Sequence, residues 1–466
     1  MSLEPPGSLG RPLRVAIVGA GPAGFYAAEA LLRPKDLAVE VDLLERLPVP
    51  FGLLRAGVAP DHQQIKRASA AFERTAADPR LRFLGNLELG RELTVADLLE
   101  LYDQVIVCTG SASDRRLGIP GEELGGSHPA TAFVGWYNAH PDFAEERFDL
   151  SAPRAVVVGA GNVAIDVVRI LVSEPERLGP TDIAGYALEA LRASEVREVV
   201  LLVRRGPAEA AFDERELRAV AELADVEVIV RSPEFPTALD VYDHATQRKL
   251  RYLSELAAAP PKPGARRRVT VQFLASPVEL HAGADGRVAR VSVEENRLAV
   301  SENGTSRAVG TGARHDLEAG LVLRSIGYLG VPIAGLPFDG RAGIIPNRDG
   351  RVTDGAGGPV VPRVYVAGWI KRGPTGVIGT NKADAAATVA VMLEDAKQLG
   401  PEPERSRAAV DARLAERGVR VATLIDWRAI DELEREVGRD LGKVREKLSS
   451  IQEMMRHADR ARGSSG

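Results

Sequence analysis

A short β-branched run, RVAIV at Arg14–Val18, breaks at GAGPAG and continues into FYAAEALL, whose alanines and leucines favour a helix. The same design returns 140 residues later as RAVVV, GAGNVA and IDVVRILV. Strand, glycine turn and helix in that order are the opening of a mononucleotide-binding βαβ unit, and two of them confine the chain to an α/β architecture. The period is far too long for a solenoid, so two separate nucleotide domains account for it.

The glycines of the first turn have distinct duties. Gly19 allows the tight turn, Gly21 lets a pyrophosphate approach the backbone, and Gly24 lets helix and strand pack closely, with the phosphates on the helix N-terminus. The next strand, AVEVDLLE, ends in Glu45, 21 residues after Gly24, where a carboxylate can accept from ribose hydroxyls. The second turn keeps Gly159 and Gly161 but has Ala164 in the third place, and its following strand, REVVLLVRR, ends in Arg204 and Arg205. Guanidinium groups pair with a phosphate dianion that a carboxylate would repel. The first turn thus suits an unphosphorylated ribose, as in FAD, and the second a 2′-phosphorylated one, as in NADPH. A hydride taken from NADPH needs an acceptor, which also favours a flavin at the first turn. GPTGVIGTN at 373–381 places backbone N–H groups at the start of a helix, where they can stabilise the anionic edge of a reduced flavin.

Composition sets the outer limits. With 60 Lys and Arg against 65 Asp and Glu in 466 residues, the net charge of −5 argues against a general nucleic-acid binder. No apolar run is long enough for a membrane span and the N-terminus lacks a secretory h-region, so a cytoplasmic protein is expected. A single cysteine, Cys108 in VIVCTG, rules out a disulfide framework, a cysteine zinc site, a protein-ligated iron–sulfur cluster and an internal redox pair. Electrons must then leave for an external acceptor. Elsewhere, VTVQFLASPVEL and VARVSVEENRL read as a hairpin around HAGADG, residues 234–268 read as a loop or excursion, Asp61 reads as a helix N-cap, and the last 65 residues are charged and helix-prone.

PVPFGLLRAGVAPDHQQIK (48–66), FVGWYNAHP (133–141), GAGNVAIDVVRIL (159–171), RRGPAEAAF (204–212) and VAGWIKRGPTGVIGTN (366–381) together resemble the adrenodoxin reductase family, FAD-containing ferredoxin–NADP reductases with a bacterial branch. The resemblance spans roughly residues 13–450 and implies two Rossmann-like domains. An FAD domain comprises residues 1–113 and 330–466, with an NADP domain inserted at 114–329. It implies FAD contacts at Gly19, Gly21, Ala23, Gly24, Glu45, Leu53, Leu89, Trp369, Gly376, Val377 and Ile378. It implies NADP contacts at Gly159, Ala160, Gly161, Asn162, Val163, Arg204, Arg205, Glu216 and Gly376. His62 matches a family histidine close to the flavin, and Glu216 matches a glutamate of an EL pair, although Asp213 and Glu214 depart from the usual threonine-rich stretch. The implied function is hydride transfer from NADPH to FAD followed by single-electron transfer to a ferredoxin, feeding an acceptor such as a monooxygenase, with His62 and Glu216 assisting. An acidic ferredoxin calls for a basic docking surface, for which Arg248, Lys249, Arg251 and Arg266–Arg268 are candidates. No metal site is expected, and the protein is expected to be a monomer. A flavin monooxygenase or NADPH oxidase using oxygen, and a non-catalytic NADP(H)-binding protein, are the rival readings.

Overall fold

The computed structural model describes residues 6–8, 10–233, 235–300, 306–376, 378–400 and 405–463. Contacts divide the chain into two units, one of Met1–Val58, His62–Ser113 and Tyr328–Gly466, the other of Ala59–Asp61 and Asp114–Gly327.

The first unit is built on a seven-stranded sheet. Its order runs Asn347–Arg348, Arg351–Thr353, Val360–Val366, Gln104–Val107, Leu13–Val18, Val39–Leu44, Leu81–Leu84, and the last five strands are parallel. Strands covered on both faces read as continuous apolar runs, which is the pattern of LRVAIV and QVIV. The sheet order reverses between Leu13–Val18 and Gln104–Val107, the topological switch point at which an open α/β sheet binds its ligand. Helices Pro22–Leu32 and Thr380–Ala396 pack together through Ala27, Ala28, Ala385 and Val389 in the core. The charged C-terminal stretch forms helices Arg407–Glu416, Leu424–Asp440 and Ile451–Gly463, and Trp427, Ile430 and Met454 join that same core.

The second unit carries a six-stranded, wholly parallel sheet in the order Ser127–Pro129, Leu321–Ser325, Arg154–Gly159, Glu198–Val203, Arg267–Phe273, Val226–Arg231. The expected hairpin around HAGADG forms, between Ala275–Ala282 and Val288–Val300, but its first strand is shorter than the alternating run. VTVQF belongs to the parallel sheet, Leu274 turns the backbone at φ 54°, and Ala275–Ala282 starts a separate three-stranded antiparallel sheet with Val288–Val300 and Ser306–Glu318. Both halves alternate, so periodicity cannot reveal that one strand is two. The expected excursion at 234–268 instead holds the helix His244–Ala258, capped by the Asp243 carboxylate accepting from Thr246 N at 2.8 Å.

Asp97 shows how the C-terminal helices are fastened in the first unit. It completes a capping box with Thr94 and accepts from Arg417 at 2.7 and 2.9 Å, and also from Arg413. Burial alone would raise its pKa, but the Thr94 hydrogen bonds and Arg417 outweigh it and hold the carboxyl well below the usual range. A depressed folded-state pKa stabilises the fold above the unfolded value of about 4, and that contribution is lost as pH falls through the folded value. Asp97→Asn should therefore lower unfolding stability by ~1–3 kcal/mol at pH 7. In denaturant titrations the deficit should shrink as the medium is taken below pH 4, and a deficit that does not change with pH contradicts the assignment.

Candidate functional site

In the first unit the turn after Leu13–Val18 is shaped by contacts that only glycine permits. A Cβ on Gly24 would lie 2.0 Å from the Gly19 carbonyl oxygen, and Gly19 itself has φ +104°. Gly21, the N-cap of Pro22–Leu32, differs: a Cβ there meets nothing within 4 Å. The turn is closed where helix meets strand and open where a pyrophosphate would approach the helix N-terminus, the arrangement FAD needs. Ala23 is buried one residue into the helix. The Glu45 carboxylate accepts from Ala20 N at 2.9 Å and Leu47 N at 3.2 Å, so it is fixed at the strand end; burial raises its pKa, against the pull of these N–H donors.

Phe51–Gly52–Leu53 lies against this turn. Phe51 N donates to Ala20 O at 2.8 Å, and a Cβ on Gly52 would come within 3.0 Å of Gly21 Cα. Leu53 is exposed and Leu89 half-buried. Across the unit's other chain segment, Trp369 stacks on Tyr328 at 5.8 Å and donates from Nε1 to Thr375 O at 3.2 Å. Asp384 fixes the preceding bend, accepting from Gly368 N at 2.6 Å and from Lys371 Nζ at 2.9 Å. Gly376, exposed, has φ +78°, and the half-buried Ile378 leads into Thr380–Ala396. Val377 lies outside the described residues. Cys108 is buried and that burial drives its thiol pKa upward, so it is a packing group.

In the second unit, Gly161 caps Asn162–Val172, and a Cβ at Gly161 would again meet nothing within 4 Å. A Cβ at Gly159 would lie 2.3 Å from Ser325 O, while Ala164 occupies the third position fully buried. Ala160 O accepts from Ala211 N and Phe212 N at 2.7 and 2.8 Å. Asn162 exchanges two hydrogen bonds with Asp213, through Nδ2 to its carboxylate at 3.0 Å and through Oδ1 from its N–H at 2.8 Å. Val163 packs against the core from its edge. Arg204 and Arg205 are exposed at the end of Glu198–Val203, and among the described residues neither guanidinium has an ion-pair partner. Their backbone is braced by a residue that no motif announces. Asn296, from the antiparallel sheet, donates to Arg204 O at 3.0 Å and Ser276 Oγ at 2.8 Å, and Leu274 N donates to Arg205 O at 3.2 Å.

Glu216 approaches Arg169 Nη1 at 3.4 Å, whereas Glu214 pairs with Arg218, so of the two acids only Glu216 belongs to this cluster. Arg169 is 1% exposed and also donates to Asp61, at 2.7 and 3.0 Å, and to Asp166, at 2.6 Å. Burial opposes its charge, but the Asp61 and Asp166 carboxylates prevail and raise its pKa. Asp61 is therefore not a helix cap; the N-cap of Gln63–Lys66 is His62, which belongs to the other unit.

Of the expected docking residues, Arg248 and Arg251 are exposed on His244–Ala258. Lys249 is not available: it is 7% exposed, donates to Ala210 O, and burial lowers its pKa. Arg266, Arg267 and Arg268 are engaged by Glu174, Asp225 and Glu227.

A model for pyridine nucleotide-disulphide oxidoreductases matches residues 13–222, which contain both turns. NADPH-ferredoxin reductase FprA of Mycobacterium leprae is 46% identical over 456 residues, 95% of this chain and 97% of its own length. The chain belongs to the adrenodoxin reductase-type family of NADPH–ferredoxin reductases. Human mitochondrial NADPH:adrenodoxin oxidoreductase is 43% identical, over 95% of this chain and 91% of that protein. The structure of Mycobacterium tuberculosis FprA in complex with NADPH superposes with a TM-score of 0.90 at 45% identity, covering 96% of this chain and all of the other. This family member is an FAD-dependent oxidoreductase that uses NADPH. Among the described residues no helix is long and apolar enough to cross a membrane.

Proposed function

We propose that the chain draws a hydride from NADPH, held at the second glycine turn, into FAD, held at the first, and delivers the electrons singly to a small acidic ferredoxin. The observation that carries this reading is the paired fingerprints with opposite strand ends, a carboxylate at Glu45 and guanidinium groups at Arg204–Arg205. Bound FAD supplies a centre that accepts two electrons together and gives them up one at a time. The protein's own work is placement. Gly19, Gly21, Ala23, Gly24 and Glu45 seat the adenine half of FAD, and Leu53, Leu89, Trp369 and Gly376–Ile378 seat the remainder. Gly159–Val163 receive the NADP pyrophosphate at a helix N-terminus, and Arg204 and Arg205 receive the 2′-phosphate, their backbones fixed by Asn296 and Leu274. Glu216, anchored by Arg169, orients the nicotinamide end, while His62 and Gly376 complete the assignment. In domain terms, residues 1–113 and 330–466 serve FAD and 114–329 serve NADP, acting in a cytoplasmic monomer. Transfer to a ferredoxin agrees with a chain that lacks a second cysteine, and supply of a monooxygenase is one use of such a partner.

Replacing Arg204 and Arg205 by Gln removes contacts worth ~1.5–3 kcal/mol each, so KM for NADPH should rise at least about tenfold while KM for NADH stays nearly constant. Steady-state kinetics with both coenzymes check this, and equal effects on the two would refute the phosphate clamp.

Of the basic candidates, Arg251 has no ion-pair partner among the described residues and the exposed Arg248 is held only by Glu214 at 3.7 Å, whereas the Arg266–Arg268 run is locally neutralised. Ferredoxin reduction should slow as ionic strength rises. Reversing both charges, with Arg248→Glu and Arg251→Glu, should slow it at low salt and flatten the salt dependence; an unchanged salt curve would remove this face from the docking site.

A further inference from the structure

In the first unit, a buried carboxylate from the C-terminal helices grips the loop that covers the first glycine turn. Glu434, on Leu424–Asp440, is fully buried. It accepts both arms of the Arg55 guanidinium, one at 2.9 Å, across 379 residues of sequence. Its remaining capacity is taken by Arg445 at 3.2 Å and the N–H of Leu448 at 2.9 Å. Lys447 Nζ closes the arrangement by donating to Arg55 O at 3.1 Å. Arg55 also lies 5.2 Å over the ring of Trp427, and Trp427 meets Phe51 edge to face at 5.6 Å. Each oxygen of the buried Glu434 carboxylate thus accepts from two donors, which favours one geometry for the pair.

What this network holds is strained. Phe51 has φ +84°, a region a bulky L-residue rarely adopts, and the next residue, Gly52, has φ +48°. Such a backbone persists only where its surroundings over-determine it. On one side Phe51 N is tied to Ala20 O and Gly52 presses on Gly21; on the other stand Trp427 and Arg55, and behind them Glu434. We infer that Glu434 is a positioning residue for FAD, acting through Arg55 and Trp427 to press Phe51–Gly52 onto the pyrophosphate turn, so that the C-terminal helices set how tightly the cofactor is retained. The inference rests on FAD occupying the first glycine turn.

Full-length apoprotein is titrated with FAD by flavin fluorescence, and amide exchange is followed with and without FAD. In the wild type, FAD should slow exchange at 51–56 and also at 427–448. Glu434→Gln should raise the FAD Kd at least tenfold and speed exchange at 51–56, with NADP+ affinity unchanged. Arg55→Lys, which keeps the charge but cannot form the fork, should act in the same direction if the first variant does not fold. Asp395→Asn, which breaks the Arg351–Asp395 pair elsewhere in the unit, should leave the FAD Kd within twofold. A folded Glu434→Gln or Arg55→Lys protein with FAD Kd within twofold of wild type, an equal loss in Asp395→Asn, or no FAD effect at 427–448 in the wild type would overturn the inference. Failure of the underlying site reading shows separately, as wild-type apoprotein in which FAD gives no protection at 19–24.

Discussion

The approach of the Gly24 backbone to the carbonyl oxygen of Gly19 is the contact on which the first unit turns. Only without a Cβ can the helix Pro22–Leu32 begin so close to the strand before it. That closeness aims the unsatisfied N–H groups of the helix start at the sheet's switch point, and leaves Gly21 facing open space. The second unit keeps the close approach at the first glycine, Gly159 against Ser325 O as Gly19 against Cys108 O, but carries a methyl, Ala164, in the third position. What separates the two sites chemically is not the turn but the end of the next strand.

Charge in this protein is mostly spent internally. Arg169 is surrounded by three carboxylates, Arg267 by Glu174 and Asp225, and Arg55 by Glu434, so runs of arginine in the sequence overstate the cationic surface. Arg204 and Arg205 stand out because they are exposed at a strand end, with no ion-pair partner among the described residues. A net charge of −5 is consistent with anion recognition of that kind, since a local pair of guanidinium groups suffices where a field over the whole surface is not needed.

The nucleotide units were legible because their signal is local: strand, glycines, helix and strand-end residue all fall within about fifty positions. The errors have the opposite character. Leu274 splits one alternating run between two sheets, which a period of two cannot disclose. Asp61 has the local context of a cap, but a buried arginine from a distant helix is the stronger partner. The burial of Lys249 does have a local signal, for it shares the buried helix face of Tyr252 and Leu253 at positions i+3 and i+4. Asn296 and Glu434 left no trace in sequence, their partners lying 92 and 379 residues away.

The central claim is that reducing equivalents enter as a pair from NADPH and leave singly to an iron–sulfur protein. It is tested most directly by anaerobic titration of the flavin-loaded protein with one equivalent of NADPH, followed by excess oxidised ferredoxin. The account predicts that the flavin absorbance bleaches on NADPH addition and returns on ferredoxin addition, with two ferredoxins reduced per NADPH. A flavin that NADPH does not bleach, or one that recovers its colour only when oxygen is admitted, would contradict it.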